Sequence, residues 1–178
     1  MATTPPPLNA VLFAAFGLIA GASAVKIPGV NALVSASDTF FIASAMIFGP
    51  GPAMVALAID SAGLAWRRGY DMRRLLFNAT QPAFSLWAAT EVFQLLAGNA
   101  SALSPSVQIT GVIVPLSAMT VVYFGFNSGL TAQAIALESG VPLLTVWRRL
   151  APLSVNYVAA ASVAFCFVIV MRTAGVPA

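Results

Sequence analysis

Charge is missing from most of this chain, and the gaps are long. Ala2–Val25, Thr39–Ile59, Val92–Leu137 and Leu150–Met171 are runs of 24, 21, 46 and 22 residues without Asp, Glu, Lys or Arg. About 20 predominantly apolar residues cross a hydrocarbon layer of about 30 Å as a helix, so each run is long enough to do so. Of 178 residues, 8 are Lys or Arg and 5 are Asp or Glu, a charged fraction of 7%. A soluble domain carries roughly 25%. With 60% hydrophobic residues and a mean hydropathy of +0.92, a body folded in water would have too little polar surface to cover itself. The sequence therefore predicts an all-α fold: a polytopic transmembrane helical bundle forming one integral-membrane domain over residues 1–178.

Several kinds of chemistry are removed by what is absent. The chain has no His, which excludes the usual general base, the Ser-His nucleophile pair and His-ligated metals or haem. Cys166 is the only cysteine, so an intrachain disulfide and an iron–sulfur cluster are excluded as well. A retinal protein is disfavoured because the one lysine, Lys26, falls at a helix end. The expectation is a protein with no metal, no cofactor and no enzymatic turnover. Net charge +3 and a pI of 9.6 do not point to nucleic acid, because the basic residues stand in pairs at the ends of apolar runs. In that position they anchor helices and set topology.

A polar, proline-rich lead, residues 1–7, carries no positive charge, so a signal peptide is not expected. Leu8–Val25 reads as the first spanning helix, and Ala10, Ala14, Gly17, Gly21 and Ala24 recur along it at three- and four-residue steps. Gly17 to Gly21 is a GxxxG, a spacing that lets another backbone approach closely, from this chain or from a partner. A second apolar stretch, residues 31–48, contains Asp38 and is broken by Gly49-Pro50-Gly51-Pro52. Residues 53–66, holding Asp60, span only about 21 Å as a helix. The charged loop 67–74 follows, then a helix over residues 75–97 that Pro82 should kink, and a polar loop over residues 98–107. A fifth helix over residues 108–137 should bend near Pro115, a short loop covers residues 138–149, and a sixth helix covers residues 150–171.

Orientation follows the positive residues. With six spans, Lys26, the four arginines of the 67–74 loop, Arg148 and Arg149 share one side, seven against Arg172 alone. That side is expected to be cytoplasmic, with both termini outside. If residues 31–66 form one broken span, five helices result and the count becomes six against two.

Polar side chains within apolar helices need a reason. Arg74, Asn78, Gln81 and Ser85 follow steps of four, three and four, which places them within an arc of about 60° on the fourth helix. Ser117, Thr120, Asn127, Ser128 and Thr131 form a second stripe on the fifth. Two facing stripes would line a ligand cavity or simply bond one helix to the other. Asn156 on the last helix joins the candidates, as do Asp60 and Glu91, the acidic residues expected within the bilayer, which would bind a cation, relay protons or pair across helices. No nucleophile, metal-ligand spacing or phosphate loop accompanies the two carboxylates.

Two stretches carry a resemblance. One is Phe48-Gly49-Pro50 before a small-residue helix, then Arg73-Arg74-Leu75-Leu76-Phe77-Asn78-Ala79-Thr80-Gln81. The other is Tyr123-Phe124 through Asn127, then Ala136-Leu137-Glu138-Ser139-Gly140-Val141-Pro142-Leu143-Leu144 and Trp147-Arg148, ending at Asn156-Tyr157. In order and spacing, over roughly residues 30 to 172, they resemble the membrane module found ahead of bacterial HD-GYP and GGDEF signalling domains. That module is itself similar to the substrate-binding S components of energy-coupling-factor transporters, whose second helix often begins with Gly-Asp where this chain has Ser37-Asp38. Such signalling proteins continue into a catalytic domain, whereas this sequence runs six residues past Arg172. The resemblance thus implies a fold and a binding pocket, with signalling or transport supplied by another chain.

Two functions compete. The first is a non-catalytic module of the bacterial inner membrane that senses a small apolar or amphipathic ligand, or lipid, and acts through a second membrane chain by helix–helix contact. The second is a structural subunit of a larger energy-converting, photosynthetic or transport complex. A sealed core in which Asn78, Gln81, Asn127 and Asn156 bond only to one another favours the subunit; a polar cavity open to one face favours sensing.

Overall fold

The computed structural model describes residues 8–22, 25–26, 33–34, 37–97 and 108–174. The lead at 1–7 and the loop at 98–107 lie outside the described residues. The helices are α1 (Leu8–Ala22), α2 (Ser37–Phe48), α3 (Pro50–Arg67), α4 (Met72–Ala97), α5 (Ile113–Ser139), α6 (Leu143–Leu150) and α7 (Ser154–Thr173). A 3-10 turn, Ala151–Leu153, joins α6 to α7, so Leu143–Thr173 is one unbroken helical stretch and the described residues form six helical segments. The all-helical expectation holds apart from one two-residue pairing. Val25–Lys26 (β1) lies antiparallel to Leu33–Val34 (β2), with Val25 opposite Val34. The first helix therefore ends at Ala22 and the second starts only at Ser37, later than the apolar run suggests. Among the described residues, Thr110–Ser139 and Leu143–Thr173 are the two helices long and apolar enough to cross a membrane.

Local chemistry explains the ends. The break between α2 and α3 is a single residue, Gly49, at φ 83°, a conformation that only glycine adopts without strain. Its N–H still closes the last turn of α2 on Ala45 O at 3.1 Å. Pro50 and Pro52 then fall in the first turn of α3, where the backbone donors they lack would be unused, so they start the helix instead of delaying it to residue 53. Asp71 caps α4, accepting from the Arg74 N–H at 3.2 Å. Pro115, expected to bend the fifth helix, lies instead in the first turn of α5, after the 3-10 turn Ile109–Val112. Gly140, at φ 69°, returns its N–H to Ala136 O at 2.9 Å and ends α5. The expected loop at residues 138–149 is largely helical. Leu143, Val146, Trp147 and Leu150 recur at helical spacing on one face of α6, leaving Arg148 and Arg149 on the other.

The helices run alternately up and down. α2 is central: nine of its twelve residues are buried, and it packs against α1, α3, α4 and α7. Phe13 and Phe16 of α1, Phe40 and Phe48 of α2 and Phe167 of α7 form an aromatic cluster with centroids 5.4 to 6.4 Å apart. The glycine face of α1 is occupied from within the chain. A Cβ on Gly17 would come within 2.5 Å of the Phe41 ring, and one on Gly21 would overlap the Asp60 carboxylate. Of the two occupants that the GxxxG spacing allows, this chain supplies one.

α4 and α5 lie antiparallel, with Arg74 meeting Glu138 at one end, Gln81 meeting Asn127 further along and Phe84 meeting Phe126. Arg67, Arg68, Arg73, Arg74, Arg148 and Arg149 gather at the end of the bundle formed by the α3–α4 turn, the end of α5 and α6. Arg74 donates to both oxygens of Glu138 at 3.3 Å, but both side chains are more than half exposed. Such pairs contribute little. Glu138→Gln should accordingly lower stability by less than about 1 kcal/mol, with the difference vanishing in 1 M salt, as thermal unfolding at two salt concentrations would read.

Candidate functional site

The two polar stripes face each other, though not residue for residue as the spacing suggested. Gln81, buried on α4, donates its amide to Asn127 Oδ1 at 2.7 Å and to Asn127 O at 3.0 Å. Ser85 reinforces it from one turn below, accepting from Gln81 Nε2 at 3.2 Å and donating to Gln81 O at 2.9 Å. Asn127 passes the link to α7 by donating its amide to the Tyr157 hydroxyl. Asn78 spends its amide on Arg74 O, in its own helix, at 2.7 Å. Ser117 and Thr120 leave the stripe and line an apolar groove between α5 and α7. Ser128 bonds within α5 to Phe124 O and accepts from the Trp147 indole at 2.8 Å, fastening α6 to α5.

Between α3, α4 and α5, near the arginine-rich end, the stripes open a polar cavity of about 300 Å³. Asn78, Gln81, Asn127 and Thr131 line it, together with Ser61 of α3 and Arg68 and Tyr70 of the α3–α4 turn. Pro82 also borders it, and its missing N–H leaves the Asn78 carbonyl without its ordinary helical donor. Local structure sets the position. Gly69, at φ 68°, turns the chain sharply after α3, and Tyr70 N–H returns to Ala65 O at 3.2 Å, which folds Tyr70 back over the opening.

A second polar centre lies deeper. The Tyr123 hydroxyl donates to Asp38 Oδ1 at 3.2 Å, and the Tyr123 ring meets the Tyr157 ring edge-on at 5.1 Å. The Ser37 hydroxyl bonds the Asp60 carboxylate, which is covered by Gly21 of α1. α3 does not end early to bring an arginine to Asp60, and neither Asp38 nor Asp60 forms an ion pair among the described residues. Of the remaining sequence candidates, Glu91 and Asn156 are partly buried, do not line the cavity and make no side-chain hydrogen bond among the described residues. Among those residues no three His, Cys, Asp or Glu side chains are grouped to hold a metal.

Sequence reasoning passed over Ser61, Arg68, Tyr70, Tyr123 and Tyr157 as site residues. The two deeper tyrosines sit in apolar runs where the ring masks the hydroxyl, and the readable signal was a phenol with no water to bond. The remaining three belong to a turn and a small-residue helix face, which no periodicity marks. Comparison with known protein families, with curated proteins and with solved structures finds no match to this chain.

Proposed function

We propose that this chain is a multi-pass protein of the bacterial inner membrane, an S-component-like module that holds a small amphipathic or lipid ligand and acts through a partner chain without turnover. The observation that carries this reading is the polar cavity, in which side chains from α3, α4, α5 and one turn converge beside an arginine-rich end. Convergent polar groups in a concave site are the ordinary form of a ligand pocket. The membrane setting draws support from large apolar side chains exposed on five helices, among them Ile19, Val55, Leu95, Val121 and Val155, each more than 60% exposed. Water would not tolerate so broad an apolar surface.

Isolation in mild detergent followed by native mass spectrometry tests the function. A bound small molecule retained by the wild type and lost in Thr131→Val or Asn127→Leu is the expected result; a chain that carries no small molecule overturns it. Apolar grooves between α1 and α3, about 400 Å³, and between α5 and α7, about 490 Å³, favour the structural subunit as second reading. Recovery of a stoichiometric protein partner with an empty cavity would select it. Topology is tested separately. In a Cys166→Ser background, Arg73→Cys should resist an impermeant thiol reagent in intact cells and react after permeabilisation, and equal labelling in both would reverse the orientation. Arg73 is preferred to Gly69 because a side chain at φ 68° would be strained.

A further inference from the structure

The chemistry of the cavity wall narrows what it takes. Three of its polar groups are already used: the Gln81 and Asn127 amides bond each other and Tyr157, and the Asn78 amide is held by Arg74 O. What remains is selective. The hydroxyls of Ser61, Tyr70 and Thr131 and the guanidinium of Arg68 make no hydrogen bond or ion pair among the described residues. The lining contains no carboxylate. The acidic residues of the elements packed around it stand elsewhere: Asp71 and Glu138 turn to Arg74, Asp60 to Ser37 and Gly21, and Glu91 lies ten residues beyond Gln81 on α4, outside the lining. Three free hydroxyl donors and one uncompensated guanidinium suit an oxyanion, because each hydroxyl can turn its proton toward an oxygen while the guanidinium supplies charge. Asn78 adds the opposite function. With its NH2 group engaged, its Oδ1 is left to accept from a ligand hydroxyl.

Resting on the reading of this cavity as a ligand site, we propose that it recognises a phosphorylated polyol, with Arg68, Ser61, Tyr70 and Thr131 on the phosphate and Asn78 Oδ1 on a hydroxyl beside it. A volume of about 300 Å³ exceeds what a bare phosphate fills and suits a group the size of glycerol phosphate. Two sources present that chemistry: the headgroup of an anionic phosphoglycerol lipid in the leaflet at the arginine-rich end, and a soluble polyol phosphate.

The full chain, purified in an uncharged detergent, is titrated with dioctanoyl phosphatidylglycerol, dioctanoyl phosphatidylcholine and glycerol 3-phosphate, and the unfolding midpoint is followed by tryptophan fluorescence. Phosphatidylglycerol should raise the midpoint saturably and phosphatidylcholine should not. Arg68→Gln should raise the half-saturating concentration about ten-fold or more. Arg149→Gln, an equal charge change outside the cavity, should leave it within about two-fold. If Arg68→Gln does not fold, Ser61→Ala with Thr131→Val carries the same test. The same Arg68-dependent response to glycerol 3-phosphate supports the recognition and assigns a soluble source. Equal responses to both lipids, or equal losses in Arg68→Gln and Arg149→Gln, overturn the proposal. A neutral molecule found bound in the cavity overturns it too but leaves the proposed function standing, whereas a chain that binds no small molecule removes both.

Discussion

Gly17→Leu is expected to prevent folding, and Gly21→Leu to come close to it. Even a single Cβ at Gly17 meets the Phe41 ring at 2.5 Å, and Phe41 is fully buried in the central helix with no room to withdraw. Overpacking of this kind costs about 1–3 kcal/mol for small additions, and leucine adds three further carbons. At Gly21 the obstacle is the end of a short side chain, Asp60, which is itself held by Ser37. Gly17→Ala should therefore lower stability by about 1–3 kcal/mol, while the leucine variant should be lost from the folded fraction in detergent. Phe41→Ala should by itself cost about 3–5 kcal/mol, and in combination with Gly17→Ala less than the sum, since the clash is then gone. A Gly17→Leu, Gly21→Leu double variant that keeps the wild-type unfolding midpoint while losing a partner would return this face to intermolecular packing.

The second large effect is expected at Asn127. Asn127→Leu removes the shortest of the three bonds of the buried Gln81 amide, those to Asn127 O and Ser85 Oγ remaining, and the donor to Tyr157 in one step. Loss of a partner at a buried polar group costs about 1–3 kcal/mol, here mostly at Tyr157. Gln81→Leu alone should cost less, because Ser85 and Asn127 keep other partners. Combined with Asn127→Leu it should show a coupling of about 1–2 kcal/mol, the double variant being more stable than additivity predicts. Asn78→Leu should show little coupling to Asn127→Leu, because Asn78 bonds to its own helix at Arg74 O. Unfolding midpoints of the singles and doubles settle the matter. Coupling confined to the Asn78 pair, and none with Gln81, would mean that the helices face each other in a different register.

The candidate site was half visible before the structure. Asn78, Gln81 and Thr131 were legible because polar residues at steps of three and four must share a helix face, and that face needs a partner. Their grouping with Ser61, Arg68 and Tyr70 was not, since it depends on how α3 is rotated against α4 and on a left-handed turn at Gly69 that folds Tyr70 inward. Asp60 was legible as costly, but its neighbours, Ser37 and a glycine from α1, come from segments 23 and 39 residues away in the chain. Glu91 and Asn156 looked equivalent to the others in sequence and are not, because helix position does not reveal what stands opposite.

The sequence by itself determined that the chain is helical, that residues 49–52 break it, and which polar residues share a helix face, because backbone conformation and helical periodicity are local properties. Tertiary structure alone decided that the Gly17–Gly21 face belongs to Phe41 and Asp60, that Gln81 and not Asn78 reaches Asn127, and that Tyr123 meets Asp38. The reason lies in the surfaces of these helices. Val55, Leu95 and Val121 on the outside are as apolar as Phe41 and Leu86 on the inside, so no contrast between greasy and polar faces tells which side turns inward. What orients each helix is the fit of small residues against large ones and the few hydrogen bonds between them, and both exist only once the helices are side by side.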